Sequence, residues 1–235
     1  MPQDTDKKVN IDKFVFVVTY GRSGSTLVQS LLNTLPGACI RGENGHGLMP
    51  LARAWRSVNT AQNLTSMRRA RVTSTPENPW FGGEHIRPWR FGNQLARVFE
   101  SEVLAPPPGT RIAGFKEIRW TAEPAWFATT LDFAQTFFRN AHFVFNTRDH
   151  DQVARSGWWA QQDPDQVVAR LQEAEALFDA YQSANPDRCV RVHFNDYTAD
   201  HDALRPLFTF LNEPFDADAV AQVMARKLTH LKAPD

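Results

Sequence analysis

The segment 14–35, FVFVVTYGRSGSTLVQSLLNTL, constrains the fold of this chain more than any other part of its sequence. Its first five residues are apolar and long enough for a buried strand, a polar loop follows at 19–26, and leucines then recur at helical spacing. A strand, a glycine-rich loop and a helix in this order present backbone N–H groups and a helix N-terminus to a phosphate. The loop glycines allow close approach of the backbone, and further hydrogen bonds can come from the hydroxyls of Ser23, Ser25 and Thr26. The segment therefore predicts a phosphate-binding loop.

The loop differs from the Walker A motif of kinases and nucleoside triphosphate hydrolases. That motif, G-x-x-x-x-G-K-[ST], has a lysine directly before the Ser or Thr, whereas Ser25 precedes Thr26 here and the cation of the loop is Arg22. We therefore expect a loop that holds a phosphate but binds Mg²⁺-nucleoside triphosphates poorly. The alternative is a plain Gly/Ser turn between a strand and a helix.

The charge balance gives no indication of a nucleic-acid partner or of binding to an anionic membrane surface. The 235 residues include 26 Lys and Arg and 26 Asp and Glu, so the formal net charge is zero. A hydrophobic content of 42%, with 17 Phe and 7 Trp, is sufficient for a core. The length predicts one domain over residues 1–235 and leaves the oligomeric state open.

Several features favour a cytoplasmic location. Residues 1–13 are polar and lack the apolar run of a signal peptide, and the sequence has no run of 18 apolar residues that could span a membrane. Cys39 and Cys189 can form at most one disulfide. Without an export signal, we expect both to be free thiols in a reducing compartment.

Short segments rich in Val, Ile and Phe alternate with helical patterns, which predicts an α/β fold with a central parallel sheet flanked by helices. The predicted strands are Phe14–Val18, Arg111–Phe115, His142–Asn146 and Val190–Phe194. The helical patterns are Thr26–Leu35, Phe91–Leu104, Asp132–Arg139, Pro164–Ala184 and Asp202–Leu211. Residues 44–90 are rich in Arg, Asn, Gly, Pro and Trp, with a weak helical pattern near Leu48–Val58. We expect them to form an insertion or lid beside the site.

A second candidate anion site follows the third predicted strand. This strand ends at Asn146, Arg148 stands just beyond its carboxyl end, and Ser156 follows eight residues later. Ligands of open α/β sheets bind at the carboxyl ends of the strands, and an arginine fork with a hydroxyl suits an anion. Together with the first loop, this pair predicts a ligand with two separated anionic groups. Taken alone, an Arg-Asp pair at 148–149 is more often a surface ion pair or a helix cap than an anion site.

Three motifs occur in a fixed order: RSGSTL at Arg22–Leu27, Arg148 with Ser156, and VHFNDYTADHDALRPLFTFLNEPF at 192–215. Together they resemble the sulfotransferases that use 3′-phosphoadenosine 5′-phosphosulfate (PAPS), most closely the tyrosylprotein and glycan branches. The resemblance covers about residues 14–216, and nothing in the middle third aligns. It implies a P-loop-like fold, PAPS as the donor and 3′-phosphoadenosine 5′-phosphate (PAP) as the product. It also implies that the cofactor is bound by Arg22, Ser23, Gly24, Ser25, Thr26, Leu27, Arg148 and Ser156.

The same resemblance singles out Glu43 as the general base. It lies 21 residues after Arg22 in the segment Ile40–His46, IRGENGH, and the tyrosylprotein branch has a catalytic Glu in a similar context. It would take the proton from an acceptor hydroxyl as the oxygen attacks sulfur. Small-molecule sulfotransferases use a His base, which makes His46 the rival. A solvated loop carboxylate is the alternative without a catalytic role.

Lys116 is the next catalytic candidate because it lies near the carboxyl end of a predicted strand. Sulfuryl transfer depends on positioning and charge stabilisation, and Lys116 and Arg22 can stabilise the charge that builds on the departing phosphate. Two or three cations make a divalent metal unnecessary, and the sequence has no Cys/His cluster with ligand spacing, so we expect no metal. Alternatively, Lys116 pairs with Glu117 or is a rim charge, and Glu117 and Arg119 can equally face the acceptor.

The sequence thus predicts an enzyme that transfers a sulfuryl group from PAPS to an acceptor hydroxyl. A sugar or glycan acceptor is favoured because the Trp- and Arg-rich insertion can stack on and pair with a carbohydrate. The alternatives are a P-loop kinase or nucleotide-binding protein, with Asp149 as the magnesium ligand, and a non-catalytic relative. A late basic segment at 226–230 can cover the nucleotide.

Overall fold

The structure, a computed structural model, describes residues 10–71 and 73–226. Within these ranges the chain forms one parallel sheet with the strand order β2-β3-β1-β4-β5. The strands are β1 (Lys13–Val18), β2 (Ala38–Arg41), β3 (Ile112–Glu117), β4 (Ala141–Thr147) and β5 (Cys189–His193). The predicted α/β class with a central parallel sheet is confirmed.

Helices cover both faces of the sheet. The α-helices in the described residues are α1 (Ser25–Leu32), α2 (Leu48–Thr60), α3 (Gln62–Ala70), α4 (Pro88–Val98), α5 (Phe127–Phe137), α6 (His150–Ala154), α7 (Pro164–Ala184), α8 (Phe194–Ala199), α9 (Arg205–Phe210) and α10 (Ala217–Met224). A π-helical turn continues α4 over Phe99–Leu104, and a 3₁₀ turn at Gly157–Gln161 precedes α7. The long predicted helix 164–184 has the same bounds in the structure.

The central strand β1 is buried on both faces, as expected of a parallel sheet whose two faces carry helices. Side chains alternate along a strand, so Phe14 and Phe16 join one hydrophobic cluster while Val15 and Val17 join the other. The ring of Phe16 lies 5.3 Å from that of Phe115 and 5.7 Å from that of Phe143. Aromatic contacts across three strands thus hold the sheet that positions the site.

Two features of the sheet differ from the sequence prediction. Strand β2 was not predicted, because it is a four-residue edge strand in which only Ile40 is buried. Strand β3 continues to Glu117 rather than ending at Phe115, so Lys116 and Glu117 are its last two residues. Because β2 pairs with β3, the chain leaves β2 beside that end.

The segment 44–90 is more closely integrated into the fold than a free lid. Its helix α2 buries Leu48 and Ala52 in the main hydrophobic cluster, and the Trp55 ring lies 5.8 Å from that of Phe133 on α5. The weak helical pattern near Leu48–Val58 corresponds to these thirteen helical residues. This part of the predicted insertion therefore belongs to the helical layer over one face of the sheet.

Several predictions concern the ends of the chain and its relation to membranes. No helix in residues 10–71 and 73–226 combines the length and the apolar character needed to cross a bilayer. Cys39 and Cys189 are both free thiols. Residues 1–9 and, beyond Arg226, the basic segment predicted to cover the nucleotide lie outside the described residues.

Candidate functional site

Most of the predicted site residues meet at the carboxyl ends of β1, β3 and β4, the expected ligand edge of a parallel sheet. They surround a cavity of about 340 Å³, called the cation cavity below. Its walls are formed by Gly21, Arg22, Gly24, Ser25, Thr26, Gln29, Glu43, Lys116, Ile118, Arg148, Trp158 and Phe194. Three cations and one carboxylate line it, which suits a ligand with more than one negative charge.

The loop after β1 is tightly curved and closely covered. Arg22 and Gly24 have positive φ angles of 68° and 81°, and Gly24 is the residue before α1. A Cβ atom at Gly24 would overlap the ring of Phe194, and one at Gly21 would overlap the ring of Trp158. Glycine is therefore required at both positions by the aromatic rings that cover the loop.

Two of the predicted loop residues support the loop without lining the cavity. The Ser23 side chain is fully buried, with its hydroxyl oxygen 2.6 Å from that of Thr19. The Thr19 hydroxyl donates to the Asn146 carbonyl at 2.7 Å, and the Asn146 amide donates to the Ser23 carbonyl at 2.9 Å. Leu27 is buried in the hydrophobic cluster around α1. The side chains of Ser23 and Leu27 thus fix the loop against β4 and the core.

The two predicted anion sites share Arg22 as a neighbour. Arg22 Nε donates to the Ser156 hydroxyl at 3.0 Å, and Arg148 Nη1 donates to the Arg22 carbonyl at 3.1 Å. The Arg148 guanidinium also lies over the Phe194 ring, 4.3 Å from its centroid. Burial and, after it, the charge of Arg22 lower the pKa of Arg148. The two arginines form a region of unbalanced positive charge.

The turn at Gly157–Gln161 covers the loop with its two tryptophans. The indole N–H of Trp159 donates to the Gly21 carbonyl at 3.1 Å. Trp158 lies beside the Arg22 guanidinium, with 5.9 Å between Cζ and the ring centroid, and it is 48% exposed. Trp158 is therefore a wall of the site rather than a core residue.

Glu43 lies opposite Lys116 at the end of β3. Lys116 Nζ donates to Glu43 Oε1 at 2.7 Å, and Arg119 Nη1 donates to Glu43 Oε2 at 3.1 Å. The Glu43 side chain is 32% exposed, whereas that of Lys116 is 8% exposed. The carboxylate therefore reaches the cavity from the loop after β2 and is held there by two cations.

Glu117 supports this arrangement from beneath, which the sequence did not reveal. It is fully buried, and its carboxylate accepts hydrogen bonds from the backbone N–H groups of Asn44, His46, Ile118 and Arg119 at 2.8–3.2 Å. Burial alone raises the pKa of Glu117, but the backbone donors of His46, Ile118 and Asn44 outweigh it and lower the pKa. Glu117 thus fixes the loop that carries Glu43 and does not pair with Lys116.

His46 lies in the same loop but faces the protein interior. It is 6% exposed, and its ring packs edge-on against that of Trp120 with centroids 5.9 Å apart. Burial lowers the pKa of His46, so the imidazole is neutral. It is not among the residues that line the cation cavity.

A second cavity of about 670 Å³, called the apolar cavity below, adjoins the first. It lies between α7, the loop after β3 and the turn at Gly157–Gln161. The two cavities have Gly21, Ile118 and Trp158 in common. The remaining walls are formed by Tyr20, Arg119, Thr121, Ala122, Pro124, Trp159, Arg170, Leu171, Glu173, Ala174, Ala176 and Leu177.

Metal-binding side chains are not clustered in the described ranges. Within residues 10–71 and 73–226, no group of three or more His, Cys, Asp or Glu side chains is placed to hold a metal ion. The absence of a metal from the reaction remains a prediction from the sequence.

Comparisons with known proteins identify a family for this chain and a solved structure of similar fold. A family model described as the sulfotransferase family matches residues 15–217. Among solved structures, the sulfotransferase domain from the Synechococcus PCC 7002 olefin synthase is 18% identical, with a TM-score of 0.54 over 100% of this chain and 85% of that chain. The sulfotransferase domain from the curacin biosynthetic pathway is 16% identical, with a TM-score of 0.48 over 93% of this chain and 80% of that one.

No curated protein sequence gives a significant match. The family assignment therefore depends on the family model, which covers well over half of the residues, and the Synechococcus domain supports the fold. The prediction made from the three ordered motifs is confirmed: this chain belongs to the sulfotransferase family of enzymes.

Proposed function

We propose that this sulfotransferase uses PAPS as its donor and transfers the sulfuryl group to an acceptor hydroxyl, with Glu43 as the general base. The observation that carries the proposal is the position of Glu43. Its carboxylate lies 2.7 Å from Lys116 Nζ in a cavity that also contains Arg22 and Arg148. A proton acceptor and several cations thus lie within one site at the carboxyl end of the sheet.

The residues present fit a nucleotide with separated phosphate groups. The cradle between Phe194 and Trp158 has room only for glycine at 21 and 24, and the loop opens into α1, whose N-terminus attracts anions. We propose that residues 22–27 hold the 5′-phosphosulfate and that Arg148 and Ser156 hold the 3′-phosphate. Ser23 contributes through its backbone, since its side chain faces inward, whereas Leu27 supports the loop from the core and its N–H donates to the Gly24 carbonyl at 2.9 Å. When bound, PAPS supplies the sulfuryl group and a phosphate leaving group.

In this mechanism Glu43 accepts the proton of the acceptor hydroxyl at one of its carboxylate oxygens. Exposure supports Glu43 over His46, because a base must reach its substrate and His46 is buried behind the loop. Arg119 orients the carboxylate through Oε2, and Glu117 fixes the backbone that carries it.

Lys116 and Arg22 are proposed to stabilise the negative charge that builds on the departing phosphate. Lys116 is nearly buried and lines the cavity, so its ammonium acts in a region of low dielectric, where an electrostatic interaction is stronger than in water. Its ammonium also donates to Glu43 Oε1, and this contact holds both side chains at the wall of the cavity.

The alternative of a kinase gains no support from the geometry. Asp149, the possible magnesium ligand, accepts hydrogen bonds from Asn195 at 2.7 Å and contacts His193 at 3.1 Å, and it is absent from the walls of the cation cavity. The loop also lacks the Walker lysine.

We further propose that residues 1–235 form one domain and act in the cytoplasm, which two free cysteines support.

The predicted carbohydrate acceptor depended on the insertion at 44–90. Among the described residues, none from this segment lines either cavity. Arg53, a residue of the insertion, pairs with Glu123 and lies over the Trp126 ring at 4.6 Å. A sugar acceptor therefore gains no support from the contacts of the insertion.

The test of the donor is calorimetric binding of PAP, ATP and adenosine 5′-phosphate in a buffer without divalent metal. We expect PAP to bind more tightly than both of the others, because only PAP carries the 3′-phosphate that Arg148 and Ser156 recognise. Preference for ATP, or a requirement for Mg²⁺, would contradict the proposed donor.

A further inference from the structure

The apolar cavity has the size of a small-molecule site but not the chemistry of a carbohydrate site. Its volume of about 670 Å³ falls within the range of about 300–1,000 Å³ that is typical of ligand pockets. One wall is a stripe of α7 with Leu171, Ala174 and Leu177, and the opposite wall contains Pro124 and Trp159. Most of the lining is therefore apolar.

Four polar side chains on these walls already have partners within the protein, whereas Thr121 and Glu173 have no side-chain hydrogen bond to any described residue. The Tyr20 hydroxyl donates to Glu175 at 2.6 Å, and the Trp159 indole donates to the Gly21 carbonyl. Arg119 is engaged by Glu43 and Glu117, and Arg170 donates to Gln162 at 3.0 Å. Beyond Thr121 and Glu173, a sugar would find few free partners for its hydroxyls here, which is costly for buried polar groups.

The boundary between the two cavities lies next to the proposed base. Gly21, Ile118 and Trp158 belong to both walls, so a molecule in the apolar cavity borders directly on the cavity that contains Glu43. Trp158 presents a half-exposed aromatic ring at this boundary. Such a ring favours stacked or edge contacts with a flat partner.

We propose that the apolar cavity is the acceptor site and that the acceptor is an alcohol or phenol with a compact, mostly apolar body. This inference depends on the proposed function for the reaction of the acceptor, but not for the place where the acceptor binds. The body lies against α7 and the tryptophan pair, and the hydroxyl points across the shared boundary toward Glu43.

The test uses 2-naphthol as a flat apolar probe and cellobiose as a carbohydrate probe. Binding of each is measured by calorimetry, with and without saturating PAP. Two exposed alanines in the same loop provide matched variants: Ala122 lines the cavity, whereas Ala125 does not. Ala122→Trp adds an indole to the cavity, and Ala125→Trp adds the same group outside it.

We expect 2-naphthol to bind and cellobiose to give no signal. Ala122→Trp should weaken 2-naphthol binding by about tenfold or more through steric exclusion, and Ala125→Trp should change it by less than about twofold. The PAP affinity should be equal in the wild-type protein and both variants, which also shows that they are folded.

The inference is overturned if cellobiose binds more tightly than 2-naphthol, if 2-naphthol does not bind, or if the two variants weaken 2-naphthol equally. Its failure is distinguishable from failure of the donor proposal. Loss of 2-naphthol binding in Ala122→Trp alone, in a protein that does not bind PAP, would support the cavity while rejecting the donor.

Discussion

The cation cavity and the apolar cavity meet at Gly21, Ile118 and Trp158, but their remaining walls differ in origin as well as in chemistry. The first is built mainly from turns at the carboxyl ends of β1, β3 and β4, which the sheet holds rigidly. The second takes one wall from the side of α7 and another from the loop after β3. A ligand with fixed anionic groups needs charges at fixed positions, whereas an apolar body needs only shape and area. The difference therefore separates recognition of a donor from recognition of an acceptor.

The largest effect that would sharpen this contrast is expected from Glu43→Gln, which removes the proposed base from the cation cavity. Turnover with 2-naphthol should fall about 10²–10⁴-fold, the usual contribution of general base catalysis. PAP binding should be retained or tightened, because Lys116 loses its carboxylate partner. Steady-state rates and calorimetry measure the two effects.

The control for this variant is Glu123→Gln, since Glu123 pairs with Arg53 and lines neither cavity. It should leave turnover and PAP binding close to wild type. Unchanged turnover in Glu43→Gln would remove Glu43 as the base.

Glu117→Gln tests a residue that supports the walls of both cavities. The Glu117 carboxylate accepts hydrogen bonds from the backbone N–H groups of the loop that carries Glu43 and from those of Ile118 and Arg119. At pH 7 Glu117→Gln should lower the free energy of unfolding by about 2–4 kcal/mol, because it replaces a buried, multiply bonded carboxylate. The folded-state pKa lies below the ordinary value of 4.5. The stabilisation by the ionised Glu117 carboxylate is therefore fully present above pH 4.5 and is lost as the pH falls through the lower pKa of the folded state.

Chemical denaturation between pH 3 and pH 7 measures this difference, and Glu102→Gln, at an exposed position, is the control. The gap between wild type and Glu117→Gln should narrow at the acid end of the series. A gap that stays constant with pH would show that the carboxylate charge does not carry the stabilisation.

Arg148→Ala should affect the cation cavity without affecting the apolar one. PAP affinity should fall about 10–100-fold, because a hydrogen bond to a charged group contributes about 1.5–3 kcal/mol. The affinity for adenosine 5′-phosphate should change much less, as should that for 2-naphthol. Arg155→Ala, which removes an exposed arginine of the next turn, is the control. Equal losses for both nucleotides would refute the 3′-phosphate assignment.

The smallest effect is expected from Tyr20→Phe, at a residue that links the two regions. Its hydroxyl accepts from the Arg148 backbone N–H at 3.0 Å and donates to Glu175 on α7 at 2.6 Å. Loss of these bonds should cost about 1 kcal/mol and weaken PAP by a few-fold. Tyr181→Phe removes a comparable hydroxyl bonded to Asp132 outside both cavities. It should lower stability while leaving PAP affinity unchanged, and equal PAP affinities in both variants would refute the link.

The sequence predicts the relative placement of site residues best where their geometry is local. A strand, a glycine-rich loop and a helix are contiguous, so the positions of Arg22 and Gly24 follow from the motif. Arg148 and Ser156 are separated by a single short helix, and both contact Arg22. The roles of these residues toward a ligand remain predictions.

The rest depended on contacts between distant segments. Glu43 meets Lys116 across 73 residues only because β2 pairs with β3, and β2 is too short and too exposed to be recognised. The sequence prediction ended β3 at Phe115. Lys116 and Glu117 were therefore not expected to lie in the strand with their side chains on opposite faces of the sheet. The structure extends β3 by two residues, which separates Lys116 in the cavity from Glu117 beneath it. The exposure of Trp158 had no sequence signal.

The short turn at Gly157–Gln161 also has an energetic consequence. Trp159 donates to the Gly21 carbonyl, and Trp158 lies beside the Arg22 guanidinium while bordering both cavities. A ligand in one cavity that displaces this turn also changes the wall of the other cavity. Thermodynamic reciprocity then requires that the acceptor change donor affinity by the same factor as the donor changes acceptor affinity. Any such coupling between the two cavities would act through Trp158 and Trp159.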